Sequence, residues 1–274
     1  MKMKKIKYIL LFVVMAIASC KKEAKVKLPE AKSVPVIHSY ICPDDTVIRL
    51  KLTRSQPLYK TNTYDIYEPV RDANVSISSA QGSAQLIYND FTQYYEAKTT
   101  VYPINMGSTY KVTAVFATGE VATAETQVPL SIVPITTVSV EPVVEKFGNY
   151  DLVKVYFNDI LNQTNYYRLT MTYAQTFPFQ TDTIYNSTYV SELYSDAGRD
   201  GESSRITTRY YPPYDTILFT DVYLLNCSPS YYNFHKSLLN YSGDNPFAEP
   251  SLTYSNVKGG FGCFGAYTRS RFRY

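Results

Sequence analysis

Side chains suited to acid–base, nucleophilic or metal chemistry are sparse in this chain. Its 274 residues include two histidines, His38 and His235, and four cysteines, Cys20, Cys42, Cys227 and Cys263. Two isolated histidines without a close cysteine pair give no zinc spacing. A Ser–His–Asp device needs an activated serine, and no G-x-S-x-G elbow occurs. Both histidines are therefore read as satisfied structural residues, His38 in a first strand and His235 on a helix. Asp159, Asp182, Asp196 and Asp200 are the carboxylates that would suit a glycosidase pair or calcium. Each falls in a turn signal, where Asp bonds the local backbone. The loop Asp196 to Glu202 has oxygens of the right kind for calcium but lacks the EF-hand spacing. No catalytic residue, metal or cofactor is expected, and no enzyme. Gly260-Phe261-Gly262-Cys263-Phe264-Gly265 matches the dinucleotide fingerprint G-x-G-x-x-G letter for letter. That fingerprint must open a helix, and here the surroundings read as strand. The glycines are taken as points of close backbone approach.

The cysteines divide by position. Residues 1–20 read MKMKKIKYILLFVVMAIASC, with four lysines among the first seven. The apolar run from Tyr8 to Ala18 is shorter than the about 20 residues that span a bilayer, and it suits a signal-peptide core. Ile17-Ala18-Ser19-Cys20 resembles the bacterial lipobox, in which the cysteine takes a diacylglyceryl group and the peptide is cut before it. Residues 1–19 are thus expected to be a lipoprotein signal peptide, Cys20 the lipid attachment site, and 20–33 a flexible, lysine-rich tether. Several acyl chains, at about 0.8 kcal/mol per buried CH₂, make a stable anchor. Beyond the inner membrane disulfides are permitted. Three remaining thiols allow one internal bridge, and Cys227 with Cys263 is the preferred pair. Three buried free thiols is the standing alternative.

The elements that would position any site read mainly as β structure. The chain carries 28 Tyr, 13 Phe and no Trp, and Tyr and Phe favour half-buried pleated surfaces. Ile48, Leu50 and Leu52 alternate with polar neighbours, as do Tyr110, Val112, Ala114 and Phe116. Short strands of this kind predict an immunoglobulin-like β-sandwich over residues 34–130. A second β-sandwich-like domain is expected over 131–274. In it, Tyr167, Leu169, Met171 and Tyr173 share one face opposite Tyr166, Arg168, Thr170 and Thr172. One helix is predicted near 229–240, with Ser228 as cap, Pro229 in its first turn, and an apolar stripe of Tyr231, Phe234 and Leu238. The tyrosines are read as packing before they are read as a glycan platform. From Ser33 onward 18 basic residues face 22 acidic ones, which argues against nucleic acid as a partner.

Several segments together resemble one family. They are Val36 to Ile41 with Asp44-Asp45, Asp72-Ala73-Asn74-Val75, Tyr110 with Gly119, Asp159 with Asn165 to Leu169, Asn245 to Pro250, Ser255-Asn256-Val257, and Gly259 to Tyr267. The pattern is similar to the Bacteroidota outer-membrane lipoproteins catalogued as domain of unknown function 4249. The resemblance implies a lipid-anchored outer-membrane protein, often encoded beside SusC-like TonB-dependent transporters, and it supplies no catalytic residues. The short charged stretch after Cys20 points to the cell surface, with the periplasmic face of the outer membrane as the alternative. The expected function is an accessory or ligand-capturing partner of such a transporter, with a structural or adhesive surface role as the alternative. Asp45-Thr46-Val47, Asp182-Thr183-Ile184 and Asp215-Thr216-Ile217 also resemble a Bacteroidota O-glycosylation motif, although Asp before a β-branched pair equally marks a turn entering a strand.

Overall fold

The structure is a computed structural model, and it describes residues 32–56, 68–146, 148–176, 184–211, 216–240 and 253–274. The lipobox, Asp182 and the motif Asn245 to Pro250 lie outside those residues. The architecture is mainly β with one short helix, as the alternating patterns predict.

The first half supplies β1 (Pro35–Ile41), β2 (Val47–Arg54), β3 (Asn74–Ser79), β4 (Gly82–Asn89), β5 (Tyr94–Lys98), β6 (Thr109–Val115) and β7 (Val121–Gln127). The second supplies β8 (Ile135–Glu145), β9 (Gly148–Asn158), β10 (Tyr166–Thr176), β11 (Ile184–Ser195), β12 (Ser203–Tyr210), β13 (Thr216–Cys227), the helix α1 (Pro229–Leu239), β14 (Val257–Lys258) and β15 (Phe261–Arg273). Twelve strands form one ribbon in the order β11-β10-β13-β15-β1-β2-β5-β4-β3-β6-β7-β14, and β12-β9-β8 form a second sheet. β1 pairs with β15 in parallel. β14 pairs with β7 yet is joined to β15 by Gly259 and Gly260. The ribbon from β15 to β14 therefore curls back on itself.

Two large cores result. Inside the curl, Ile37, Leu50, Leu52, Ile77, Tyr110 and Val112 meet Val257, Phe264 and Ala266 from the far end of the chain. The second core lies where β9 and β12 face β10 and β13, with Val153, Val155, Phe157, Tyr167, Leu169, Met171 and Leu224 buried together. The first core takes residues from Ile37 to Val128 and again from Val257, Phe264 and Ala266, and the second takes them from Val133 to Leu224. The closing strands tie the two together. β15 pairs with β1 of the first part and β13 of the second, and Ser33–Tyr274 is one compact unit. The buried carboxylate of Asp221 on β13 accepts from Arg271 Nε at 2.9 Å and Arg273 Nε at 2.8 Å, which fixes the end of β15 to its neighbour.

The G-x-G-x-x-G letters mark this junction. A Cβ on Gly260 would lie 2.3 Å from the Pro35 carbonyl oxygen, and one on Gly262 would lie 2.0 Å from that of Ile37. A Cβ on Gly265 would press on Tyr231 Cβ at 3.0 Å. The first two glycines let β15 approach β1, and the third lets α1 approach β15. This is the close-approach role expected of strand glycines.

Candidate ligand-binding groove

The helix starts where the sequence predicts. Ser228 Oγ accepts from the Tyr231 N–H at 3.3 Å and also from the Ala266 N–H at 3.0 Å, so the cap residue bolts the helix to β15. Ser230 Oγ donates to the Phe264 carbonyl at 3.1 Å and contacts Thr126 Oγ1 at 3.0 Å. These bonds rotate Tyr231, Tyr232 and Phe234 into the protein. Leu238, expected on that stripe, is instead 45 % exposed.

The helix covers only part of the outer face of the ribbon. Strands β10, β13, β15 and β1 are neighbours, and each alternates one side chain into a core and the next outward. The outward set is Arg168, Thr170 and Thr172 on β10, Tyr223 and Leu225 on β13, Tyr267 and Arg269 on β15, and Tyr40 on β1. Together with Tyr231 and His235 of α1 they line a groove of about 390 Å³. That volume lies within the usual range for small-molecule sites. A neighbouring depression of about 510 Å³ shares Tyr40 and Tyr267 and is flanked by His38, Asp45, Arg49 and Lys51.

The walls are aromatic and ordered. Tyr40 meets Tyr231 edge-on at 5.0 Å between centroids, and Tyr231 meets Tyr267 edge-on at 5.9 Å. Such edge-to-face pairs stabilise beyond their buried area. Arg168 is only 8 % exposed, and its Nη1 donates to the Tyr231 hydroxyl at 3.1 Å. Arg269 lies over the Tyr223 ring at 5.6 Å, while its Nη2 stands 3.3 Å from Asp45 Oδ1. His235 stacks against Tyr231 at 4.4 Å, and its buried Nε2 has no hydrogen-bond partner among the described residues. Burial lowers the His235 pKa to about 4, with the Arg168 charge and then His38 adding to the effect. The imidazole is neutral at ordinary pH. Burial likewise raises the Tyr267 phenol, assisted by Asp45. Among the described residues no carboxylate lines the groove. Its chemistry is that of two guanidinium groups, neutral phenols and an unused imidazole nitrogen set in an apolar wall.

The histidines are thus where the sequence puts them, but His235 is not fully satisfied. Phe234 contacts both histidines, its ring centroid 5.5 Å from that of His38 and 5.6 Å from that of His235. In the sequence Arg168 stands out only as a member of the face opposite Tyr167 and Leu169 and of the segment Asn165 to Leu169, and Arg269 carries no signal at all.

The preferred disulfide is not made. Cys42, Cys227 and Cys263 are free and buried. Cys227 pairs with Tyr267 across the β13–β15 ladder, four residues along from Cys263. At 3.3–3.4 Å per residue that is about 13 Å along the strand, beyond the about 7 Å limit for bridged Cα atoms. The alternative of three buried thiols holds. Burial pushes the Cys42 and Cys263 thiols up to about 12.

The acidic residues behave differently from the sequence reading. Asp159, Asp196 and Asp200 place carboxylate oxygens within 4.8 Å of one another, a group among the described residues that could hold a metal. Its oxygens already accept from the protein. The Asn165 N–H donates to Asp196 at 2.7 Å, Gly201 N–H to Asp159 at 2.8 Å and Asn162 N–H to Asp200 at 3.1 Å, and the Tyr167 hydroxyl donates to Asp159. Asp196, expected in a surface loop, is buried because it ties the loop before β10 to the end of β11.

No helix among the described residues is long and apolar enough to cross a membrane. A comparison with curated proteins finds no match. A family model described as Domain of unknown function (DUF4249) matches residues 21–273. With the match running from just after Cys20 through the whole of β15, the chain belongs to the DUF4249 family.

Proposed function

We propose that this protein is a lipid-anchored outer-membrane protein that captures a small ligand for a SusC-like TonB-dependent transporter. The groove beside α1 carries the reading. It is concave, formed on four hydrogen-bonded strands, and lined by aromatic walls with a few convergent polar groups, which is the usual composition of a binding site. The lipobox ending at Cys20 supports attachment to the membrane through acyl chains, and the lysine-rich segment after it supports a tether of some reach.

A ligand-capturing partner must meet its transporter. Affinity purification of the tagged protein from native membranes of its own host is expected to recover a β-barrel of the outer membrane. Recovery of the protein without any barrel, together with a deletion strain that takes up nutrients normally but attaches poorly to surfaces, would replace this reading with the adhesive one.

A further inference from the structure

We propose that one end of the first β part rests on the lipid bilayer, with Phe91 entering it as a second, non-covalent anchor. This rests on the reading of Cys20 as the lipid attachment site, and it adds which face of the protein meets the membrane. The ladder registers assemble that face. Pro35 pairs with Arg54 and Val36 with Phe261, so the start of β1, the end of β2 and the start of β15 lie together. Leu50 on β2 pairs with Tyr95 on β5, which sets the β4–β5 turn, residues 90–93, level with the end of β2. Arg71, ahead of β3, stands 3.8 Å from Asp90 of that turn. The β6–β7 turn joins the same end, with Arg54 Nη2 2.5 Å from Glu120 Oε2. A Cβ on Gly259 would lie 2.3 Å from the Val121 carbonyl oxygen, so the link from β14 to β15 crosses this end as well.

Apolar side chains project here. Phe91 is 96 % exposed, and Phe261 and the cross-strand pair Val115 and Val121 are exposed at the same end. The charges, Arg54 with Glu120 and Arg71 with Asp90, offset one another. The turn that carries Phe91 is held. Asn89 Oδ1 accepts from the Phe91 N–H at 3.0 Å and the Thr92 N–H at 3.4 Å, and the Gln93 N–H donates to the Asn89 carbonyl at 2.8 Å. Glu96 accepts from Asn89 Nδ2 at 3.0 Å and from Thr92 Oγ1 at 3.1 Å. A backbone fixed in this way has little freedom to lose on insertion. The point where the chain enters the fold selects lipid as the partner. Ser33 stands thirteen residues after Cys20, and a coil of that length spans about 20 Å. Acyl chains at Cys20 keep this end near the bilayer. β15 leads away from it, and its run from Phe261 to Arg273 covers about 40 Å. A standard protein interface covers about 800 Å² of each partner, whereas a ring projecting from a turn enters a bilayer without a matching shape.

The chain has no tryptophan, so Phe91→Trp and Val144→Trp each place a single reporter. Val144 lies at the opposite end. Its neighbour Val143 pairs with Tyr150, and Asp151 with Tyr210. Tyr210 meets Tyr173, whose partner Thr220 bonds Tyr274, just past the end of β15. The full-length mature protein is purified in detergent and reconstituted into phosphatidylethanolamine–phosphatidylglycerol vesicles, with and without bromine on the acyl chains. Because an interfacial side chain lies about 5–10 Å into the acyl boundary, brominated lipid is expected to quench Phe91→Trp by about half or more and to leave Val144→Trp unchanged. Should Phe91→Trp fail to fold by circular dichroism, Phe261→Trp at the same end carries the test. Equal quenching at both ends, or none at either in a protein that floats with the vesicles, would overturn the proposal and keep the lipid anchor. A protein that neither floats nor carries acyl mass would overturn the anchor, and the proposal with it. In living cells, a photoreactive analogue at Phe91 that crosslinks to protein in place of lipid would assign this end to a protein partner and overturn the proposal.

Discussion

At the residue scale the groove depends on neutral and cationic groups sharing one low-dielectric wall. His235 has a folded pKa of about 4, against an ordinary value of 6.5. Between those values the unfolded chain binds a proton that the folded protein refuses. Stability is therefore expected to fall as pH drops through that window. Urea-unfolding midpoints at pH 7.5 and pH 4.5 measure it. His235→Phe is expected to lose less stability over the interval than the parent, and an equal loss would show that the imidazole does not titrate in this way. The thiols make a second case. Cys42, Cys227 and Cys263 are buried and held as thiols. Since the thiolate is the reactive form, a disulfide-exchange reagent at pH 8 should leave them unmodified in the native protein and modify them on denaturation. Rapid native labelling, or a bridged peptide on a non-reducing digest, would contradict the structure. The sequence located both histidines on their elements. It could not show that positions 40, 168, 223, 231 and 267 converge, because no local pattern encodes which strands become neighbours.

At the element scale the legible strands are those whose buried side chains are apolar. Ile48, Leu50 and Leu52 on β2, and Tyr167, Leu169 and Met171 on β10, are all buried as the alternation predicts. β12 escaped notice for a physical reason: two of its inward residues are Ser204 and Thr208, so it alternates in burial but not in hydrophobicity. β4 buries little more than Leu86 and gives almost no period at all. The glycine motif is legible as a strand feature because its context denies it a helix, and it yields a graded prediction. Gly262 combines a φ of +109° with a carbonyl 2.0 Å from where a Cβ would sit. Gly119 has a φ of +85° and open space. Gly119→Ala is expected to cost about 1 kcal/mol from backbone strain alone. Gly262→Ala should cost more than about 2 kcal/mol, since either β15 or β1 must shift. Chemical denaturation of both variants checks this, and equal losses would mean that close approach contributes nothing.

At the scale of the whole molecule, the final strand joins what the sequence reads as two domains. β15 lends Phe264 and Ala266 to the first core and pairs with β13, which lines the second. Leu50→Ala in one core and Leu169→Ala in the other should each cost about 2–5 kcal/mol. Because β15 spans both, each substitution should lower the midpoint of one shared transition, followed by tyrosine fluorescence and by far-ultraviolet circular dichroism. Two separate transitions, each moved by only one substitution, would restore the two-domain reading. The same union of parts builds the groove, which draws on β1 from one end of the chain and β10, β13, α1 and β15 from the other. If the groove hands its ligand to a transporter, its rim must face that transporter. A photoreactive phenylalanine analogue placed at Thr172 or Tyr223, on the groove, and at Phe91 or Val144, exposed by 96 % and 82 % away from it, asks this in living cells. Crosslinks to an outer-membrane β-barrel are expected from the groove positions and none from Phe91 or Val144. Crosslinks to the barrel from the distant positions alone, or from none of the four, would show that the groove does not face a transporter.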